Sequence, residues 1–353
     1  MSVDLIALGW SPERGEHFEQ HAAAGLAPAR VGAQHRGAYA VYTAAGERPA
    51  EPAGRLRHEA RGTDELPAVG DWVAVRDEPG AAAATIHAVL PRATSFSRRA
   101  AGREAVEQVV AANMDVVLLV TAFGRDLNLR RLERYLAAGW ESGAEPVVVV
   151  NKLDLAEDAA AELLEVEGVA FGVPVHAVSC VDGTGVEALG GLFAGNRTVA
   201  LLGSSGVGKS SLVNRLLGRD AAAVQELRGD GRGRHTTTHR ELRPVPGGGA
   251  VLDTPGMREL GLWDADEGVG EAFDDVASLA ERCRFSDCAH EAEPGCAVLA
   301  AVADGTLEPE RLESWRKLSR ELGHLELKAD PRARAEARRR RRAFARSLRK
   351  TAY

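Results

Sequence analysis

Residues 203–211 read GSSGVGKSS, and a glycine-rich turn ending in Lys-Ser ahead of an apolar helical pattern is suited to holding phosphate. The glycines permit backbone angles that turn several N–H groups inward, and the helix expected over Lys209–Leu217 aims its positive dipole end at the same point. Gly203, Ser204, Ser205, Gly206, Val207 and Gly208 would form the cradle, with Ser211 beside it. Lys209 would sit against the β and γ phosphates and the Ser210 hydroxyl would ligate Mg²⁺. The loop alone does not separate ATP from GTP.

That separation falls to NKLD, Asn151, Lys152, Leu153 and Asp154, which follows a run of four valines. Guanine presents two adjacent donors, N1–H and the exocyclic amine, that one Asp154 carboxylate can accept, whereas adenine N1 is an acceptor and would repel it. Asn151 would brace base and phosphate loop, and the stem of Lys152 would lie along the ring. Ser179-Cys180, at the end of the strand expected over Val175–Val178, stands where a backbone N–H could meet guanine O6. A buried structural Cys180 is an equal reading.

DTPG, from Asp253 to Gly256, fits a sensor of Mg²⁺ and the γ-phosphate: Asp253 would reach the metal through water and the Gly256 N–H would meet the phosphate. HTTT, from His235 to Thr238, supplies hydroxyls, of which Thr237 is the choice for the second Mg²⁺ contact, with Thr236 and Thr238 as alternatives. In Ras-like enzymes a Gln soon after the DxxG glycine orients the attacking water, but here Met257 follows Gly256 and no Gln comes after it. Intrinsic hydrolysis should therefore be slow and lean on a partner or another side chain. His235 is the nearest candidate, since an imidazole can orient water, and its alternative is a loop histidine meeting RNA or solvent. Lys209, Thr237 and His235 form the candidate catalytic set.

A second constellation is Cys283, Cys288, His290 and Cys296. Three thiolates and one imidazole within fourteen residues make a closed tetrahedral set for one Zn²⁺, with no position open to substrate, so the site should be structural. Arg282, Arg284 and His290 make that knuckle a candidate nucleic-acid surface.

These motifs need strands and helices to position them. Val116–Val120, Val147–Val150, Val175–Val178, Val199–Leu202 and Ala250–Leu252 read as buried strands, and Leu129–Ser142 as an amphipathic helix, which gives a parallel sheet covered on both faces. Each motif starts at or just past the C-terminal end of a strand, where ligands bind in open α/β sheets. Upstream, Ala38–Ala44, Arg55–Arg61, Asp71–Arg76 and Thr85–Leu90 alternate or carry β-branched residues, with Gly and Pro between them, as in a small β-barrel or sandwich. Residues 1–30 read as a lead with helical potential near Glu16–Ala24, Arg92, Arg98, Arg99 and Arg103 form a basic connector, and Glu104–Ala112 reads as helix. Past Asp264 strand signals stop and helical patterns flank the cysteines, with a stripe of Leu312, Trp315, Leu318 and Leu322 in Glu308–Leu322.

At 353 residues the chain has room for about two or three cores. No run of 18 apolar residues exists and MSVDLIALGW lacks a basic n-region, so no membrane span is expected and the cytoplasm is the default location. Three of four cysteines cluster, which suits a metal in a reducing compartment rather than disulfides. The net charge of −7 hides a tail: Lys328–Tyr353 holds 11 Lys and Arg against Asp330 and Glu336, and that run, Arg338–Arg342 included, is a candidate polyanion-binding arm.

Taken together, NKLD, then GSSGVGKSSL, GRHTTT, LDTPGMRELGLW and C-x4-C-x-H-x5-C, with VGDWVAV at Val69–Val75 and ANMDVVLLV at Ala112–Val120, this sequence resembles the small-ribosomal-subunit-dependent (biogenesis) GTPase A family over about residues 30 to 325. The resemblance implies an α/β protein: a circularly permuted P-loop GTPase domain with an N-terminal OB-fold barrel and a C-terminal, mostly helical zinc domain. It divides the chain into 1–30, an extension; 31–98, the barrel; 99–262, the GTPase domain; 263–327, the zinc domain; and 328–353, the tail. It implies GTP hydrolysis to GDP stimulated by the 30S subunit late in its maturation, with 16S rRNA as a partner, a monomeric state, and a part in hydrolysis for His235. The departures are Cys180 for the usual Ala and the long Arg run. An alternative is an RNA-binding assembly chaperone whose nucleotide is a structural ligand; a P-loop kinase would leave NKLD and DTPG without a role. The permuted order carries one mechanistic expectation, that loss of the γ-phosphate at Gly256 pulls past Trp263 on the zinc domain.

Overall fold

The computed structural model describes residues 2–35, 38–78, 80–99, 107–218, 240–253, 269 and 272–329. His235, Thr236, Thr237, Thr238, Gly256, Met257, Trp263, Arg103 and the tail from 330 lie outside them, so the readings that rest on those residues do too.

A helix, α1 (Pro12–Ala23), opens the chain with Pro12 in its first turn and the Ser11 side chain accepting from the Arg14 N–H. It buries Phe18, which meets Trp10 edge to face, and Trp10 meets Trp72 likewise at 4.9 Å. Five strands follow: β1 (Ala27–His35), β2 (Ala38–Thr43), β3 (Gly46–Pro52), β4 (Trp72–Arg76) and β5 (Ala84–Val89). They run β1-β2-β3-β5-β4, and β4 returns to pair with β1, so the sheet closes into a barrel around Val31, Val41, Val73, Val75 and Ile86, all fully buried. Closure removes the exposed edges that so short a sheet would otherwise offer.

Two sequence expectations fail in this half for one reason. Arg55–Arg61 alternates like a strand but forms a short helix, α2 (Gly54–Glu59), that lays Leu56 against the barrel core. Glu104–Ala112 has helical spacing, yet β7 (Glu107–Ala112) pairs antiparallel with β6 (Ser95–Arg99), and Ala111 also bridges to Val69. Partners distant in sequence override local propensity at both places.

The second half of the sheet is parallel: β8 (Val116–Ala122), β9 (Glu145–Asn151), β10 (Val175–Ala177), β11 (Thr198–Gly203) and β13 (Ala250–Asp253), in the order β10-β9-β8-β11-β13. Chain order runs outward from β8 in one direction through β9 and β10, then resumes on its other side with β11, so the switch point lies between β8 and β11. Alternate residues face opposite sides. Val117, Leu119, Val148, Val150 and Leu202 pack with α3 (Leu129–Glu141) and α4 (Ala159–Val169), while Leu118, Val120, Val149 and Leu201 pack with α5 (Lys209–Leu216) and the 3-10 turn Glu187–Phe193. An antiparallel strand, β12 (Glu241–Pro244), lies between β13 and β1 of the barrel, with Ala33 opposite Glu241, and makes barrel and α/β layer one sheet of eleven strands. The C-terminal helices α6 (Asp274–Ala280), α7 (Ala297–Ala303) and α8 (Pro309–Ala329) share the core of the α3 face through Phe273, Val276, Val298 and Leu312.

The joint between barrel and α/β layer is polar and buried. Arg30, 1% exposed, donates to the carbonyls of Leu8, Gly70 and Asn113. Gly70 is required there, since a Cβ would lie 2.1 Å from the Ala112 carbonyl oxygen. Arg92 is not the free basic connector that its neighbours in sequence suggest: it grips the fully buried Asp71 with two bonds of 2.8 and 2.7 Å and donates to the Asp64 and Leu66 carbonyls. Burial pushes the Asp71 carboxyl up, and the Arg92 bonds pull it back toward ionisation. Arg92→Ala would strand that carboxylate, and a loss of about 3–5 kcal/mol is expected in urea denaturation. Asp71→Asn, which keeps an acceptor for Arg92 without the charge, should lose less; equal losses would refute the charge argument.

Candidate nucleotide and metal sites

The glycine-rich turn sits at the switch point, between the end of β11 and the start of α5, as its motif requires. Gly203 is held so close to β8 that a Cβ would fall 2.3 Å from the Val120 oxygen, and Gly206 and Gly208 take positive φ values of 85° and 95°. Lys209 Nζ curls over the turn and donates to the carbonyls of Gly203 and Ser204 at 2.6 and 2.5 Å. Ser210 is exposed and Ser211 half-buried at the mouth of α5. Asp253 ends β13 on the same side, and burial pushes its carboxyl up while Arg243 and Lys209 draw it down. Oxygen donors on Ser210 and Asp253 suit a hard cation, and Ser210 is open to receive one.

Asn151, at the end of β9 and 2% exposed, joins the two motifs. Its Nδ2 donates to the Val207 carbonyl at 2.8 Å and its Oδ1 accepts from the Cys180 N–H at 3.3 Å. A Cβ on Gly208 would lie 2.2 Å from that Nδ2, so the glycine spacing of the phosphate turn also makes room for the asparagine. Lys152 adopts a left-handed backbone, φ 62°, and its ammonium pairs with Asp126 at 2.7 Å. Leu153 donates its N–H to Val178, and Asp154 receives the Ser179 hydroxyl at 2.7 Å, which fixes the carboxylate's direction. The Cys180 thiol is buried, and burial pushes its pKa up, so its side chain is an inert filler while its N–H lines the site. The side chain is thus buried as one sequence reading has it, while the N–H is donated to Asn151 Oδ1.

Sequence reasoning missed four participants. Arg131 Nη1 donates to Ser204 Oγ at 2.7 Å and Tyr135 OH lies 3.1 Å from the same atom, both from α3. Arg215 donates to the carbonyls of Cys180 and Val181, and Asp126 holds Lys152. Arg131 and Tyr135 stand one helical turn apart, but nothing in α3 itself says which loop they face.

The metal set comes together as expected. Cys283 follows α6, Cys296 caps α7, and the ligand atoms of Cys283, Cys288, His290 and Cys296 lie within 4.8 Å of one another. Bonds of about 2.3 Å to sulfur and 2.0–2.1 Å to nitrogen around a tetrahedral centre would put the ligand atoms roughly 3.5–3.8 Å apart. The separations found are 3.5 Å from Cys283 Sγ to His290 Nδ1, 3.4 Å from His290 Nδ1 to Cys296 Sγ and 3.8 Å between the Cys283 and Cys296 sulfurs. The Glu293 carboxylate folds the loop by accepting from the N–H groups of Ala289, Glu291 and Ala292, and backbone N–H groups, its own first, pull its pKa down to about 2. The Leu299 N–H donates to Cys296 Sγ at 3.4 Å and so helps to orient that ligand.

The chain is similar to known proteins along most of its length. A family model described as RsgA GTPase matches residues 89–263. The small ribosomal subunit biogenesis GTPase RsgA of Opitutus terrae is 50% identical over 339 residues, which cover 93% of this chain and 92% of that one. Its namesake from Streptomyces coelicolor is 46% identical over 338 residues, 95% of this chain and 91% of that one. The crystal structure of YjeQ from Thermotoga maritima is similar with a TM-score of 0.65 and 27% identity, over 84% of this chain and 98% of that one. YloQ, described as a circularly permuted GTPase, shares the fold with a TM-score of 0.59 at 23% identity, over 85% and 96% of the two chains.

Asn151→Ala would leave the Cys180 N–H and Val207 carbonyl without their partner. The expected cost is about 1–3 kcal/mol of stability, read as a lower urea midpoint, with the loops at 179–184 and 203–208 exchanging amide hydrogens faster than the rest of the sheet. Uniform exchange would show that the amide does not tie those loops.

Proposed function

This chain belongs to the RsgA GTPase family, and on that footing we propose that it hydrolyses GTP to GDP and phosphate in the biogenesis of the small ribosomal subunit. The observation that supports this reading most strongly is the Asn151 amide, which ties a guanine-reading loop to a phosphate loop across the switch point.

In the reaction as we read it, Asp154, aimed by Ser179, accepts both guanine donors, and the Cys180 N–H, donated to Asn151 Oδ1 at 3.3 Å, would be shared with O6 when guanine binds. Lys152, held by Asp126, lays its stem on the base. Backbone N–H groups from Ser204 to Ser210 and the positive end of α5 hold the phosphates, and the Lys209 ammonium leaves its two loop carbonyls to neutralise the β and γ oxygens. Ser210, Thr237 and Asp253 would hold Mg²⁺, whose part is to draw charge off the γ-phosphate as it departs. The Gly256 N–H senses the same group, and His235 orients the attacking water, a task that Met257 cannot perform.

The metal of Cys283, Cys288, His290 and Cys296 is, on this reading, one Zn²⁺ with a structural role, because the donor set is closed. The partner is the 30S subunit through its 16S rRNA, gripped by barrel, knuckle and basic tail, so binding should weaken steeply with salt. The reading has the protein act as a cytoplasmic monomer; among the described residues no helix is long and apolar enough to cross a membrane.

GTP turnover measured with and without purified 30S subunits tests the activity, and absence of acceleration by subunits would remove it. Lys209→Ala should abolish nucleotide binding. His235→Ala should keep binding and lose roughly 100-fold or more of the stimulated rate, so equal loss of both properties would contradict the assignment. Elemental analysis should find about one zinc per chain, and Cys296→Ser should release it; retention of zinc would move the site elsewhere.

A further inference from the structure

Helix α3 is held from two sides. Arg131 and Tyr135, one turn apart, hold Ser204 in the phosphate turn. Glu133, two residues from each and so turned about 200° away, faces the C-terminal helices, where its Oε1 accepts from Arg311 Nη1 at 3.0 Å. Arg130 adds an exposed contact to Glu313 at 3.4 Å. Both members of the Glu133–Arg311 pair are buried, their side chains 4% and 6% exposed. The second oxygen of Glu133 is buried without a hydrogen-bond partner, so among the described residues Arg311 sets where that carboxylate sits.

Arg311 is itself over-determined. Its Nε and Nη2 meet the two Asp275 oxygens at 3.0 Å each, Nη2 also donates to the Ala272 carbonyl at 2.7 Å, and the guanidinium lies 4.1 Å above the Phe273 ring. A planar fork with donors pointing in three directions can lock α8, α6 and α3 together, as a lysine cannot. Around this pair, α3 and α8 are parted by a cleft of about 530 Å³ that Leu129, Glu165, Leu307 and Ser314 help to line. The ion pair thus bridges a gap that side-chain packing leaves open.

One turn further along α8, Trp315 meets the His290 ring at 5.3 Å, and Arg316 donates to the His290 carbonyl. A continuous set of contacts therefore runs from the metal knuckle through α8 and the Arg311–Glu133 pair to α3 and Ser204.

We propose that Arg311 is a positioning residue for the phosphate loop: with Glu133 it holds α3 in the register that sets Arg131 and Tyr135 on Ser204, and so couples the occupancy of the nucleotide site to the rigidity of the metal knuckle. The proposal rests on the GTPase reading above. Coupling of this kind is reciprocal. An RNA that seats the knuckle shifts the phosphate loop, and a nucleotide that orders the phosphate loop stiffens the knuckle.

Amide hydrogen exchange of the full-length zinc-loaded protein tests this without ribosomes. With saturating non-hydrolysable GTP analogue, exchange within 283–296 should slow about fivefold or more relative to nucleotide-free protein. Arg311→Lys keeps the charge but loses the fork, and it should erase most of that difference while the phosphate turn itself still slows on binding. Tyr135→Phe removes only a hydroxyl at the other end of the path and should act in the same direction. It serves as the decisive variant if Arg311→Lys lowers the melting temperature. The double variant should be no worse than the more affected single one, because both cut one path. Full nucleotide-dependent slowing in both variants, or none in the unaltered protein, overturns the coupling and leaves the GTPase reading standing. Failure of the unaltered protein to bind the analogue at all overturns both.

Discussion

Everything at the nucleotide site depends on one buried amide. Asn151 uses its donor on Val207 and its acceptor on Cys180, and these residues belong to loops far apart in the chain. No covalent connection brings residues 151, 180 and 207 together; the parallel sheet brings their strand ends to one edge, and the amide then fixes their spacing. A buried amide so used is costly to disturb, since either half left unpaired loses its hydration without replacement. The glycine at 208 is part of the same constraint, because any side chain there would occupy the position of the amide nitrogen.

Much of this was legible from sequence, and the reason is physical. Motifs of backbone N–H groups, glycines and short polar side chains act within a few residues of one another, so their chemistry survives in a one-dimensional reading. The valine runs at 116–120 and 147–150 are legible too, because strands buried on both faces must be apolar at every position. What stayed hidden depends on distant partners. β1 shows no alternation because Ala29, Arg30, Val31, Gly32 and Ala33 are all buried between β2, β4 and β12. β3 carries Pro49 and Pro52, which read as punctuation until β2 and β5 are seen on either side. Arg92 looked like a surface charge, and only its meeting with Asp71 twenty-one residues upstream shows otherwise.

The permuted order has a structural counterpart that the motifs alone did not disclose. An ordinary order would end the chain of the α/β layer on the base-reading side. Here β9 and β10, the strands that lead into NKLD and Ser179-Cys180, form one end of the sheet, and β11, β13 and β12, on the side of the glycine-rich turn, run on into the barrel. The barrel is accordingly an extension of the phosphate half. Burial of Arg30 at that joint makes it stiff, since parting the two bodies would break its bond to the Asn113 carbonyl.

That placement bears on the two motifs proposed to sense the γ-phosphate. HTTT lies between α5 and β12, and β12 is clamped between β13 and the barrel strand β1, with Tyr42 OH donating to the Leu242 carbonyl at 3.2 Å. DTPG starts at Asp253, and the segment after it leads to α6, beside which the Ala272 carbonyl accepts from Arg311. Each proposed sensor therefore has one end in the nucleotide site and the other at a contact with an accessory body, the barrel for the first and the α6–α8 helices for the second. In an order that kept the DTPG segment within a single continuous GTPase domain, the α6–α8 helices would not hold an end of it. Permutation makes the DTPG segment a connection between bodies, while HTTT stays a loop inside the α/β layer, and Arg311 stands where that connection meets the path through α3.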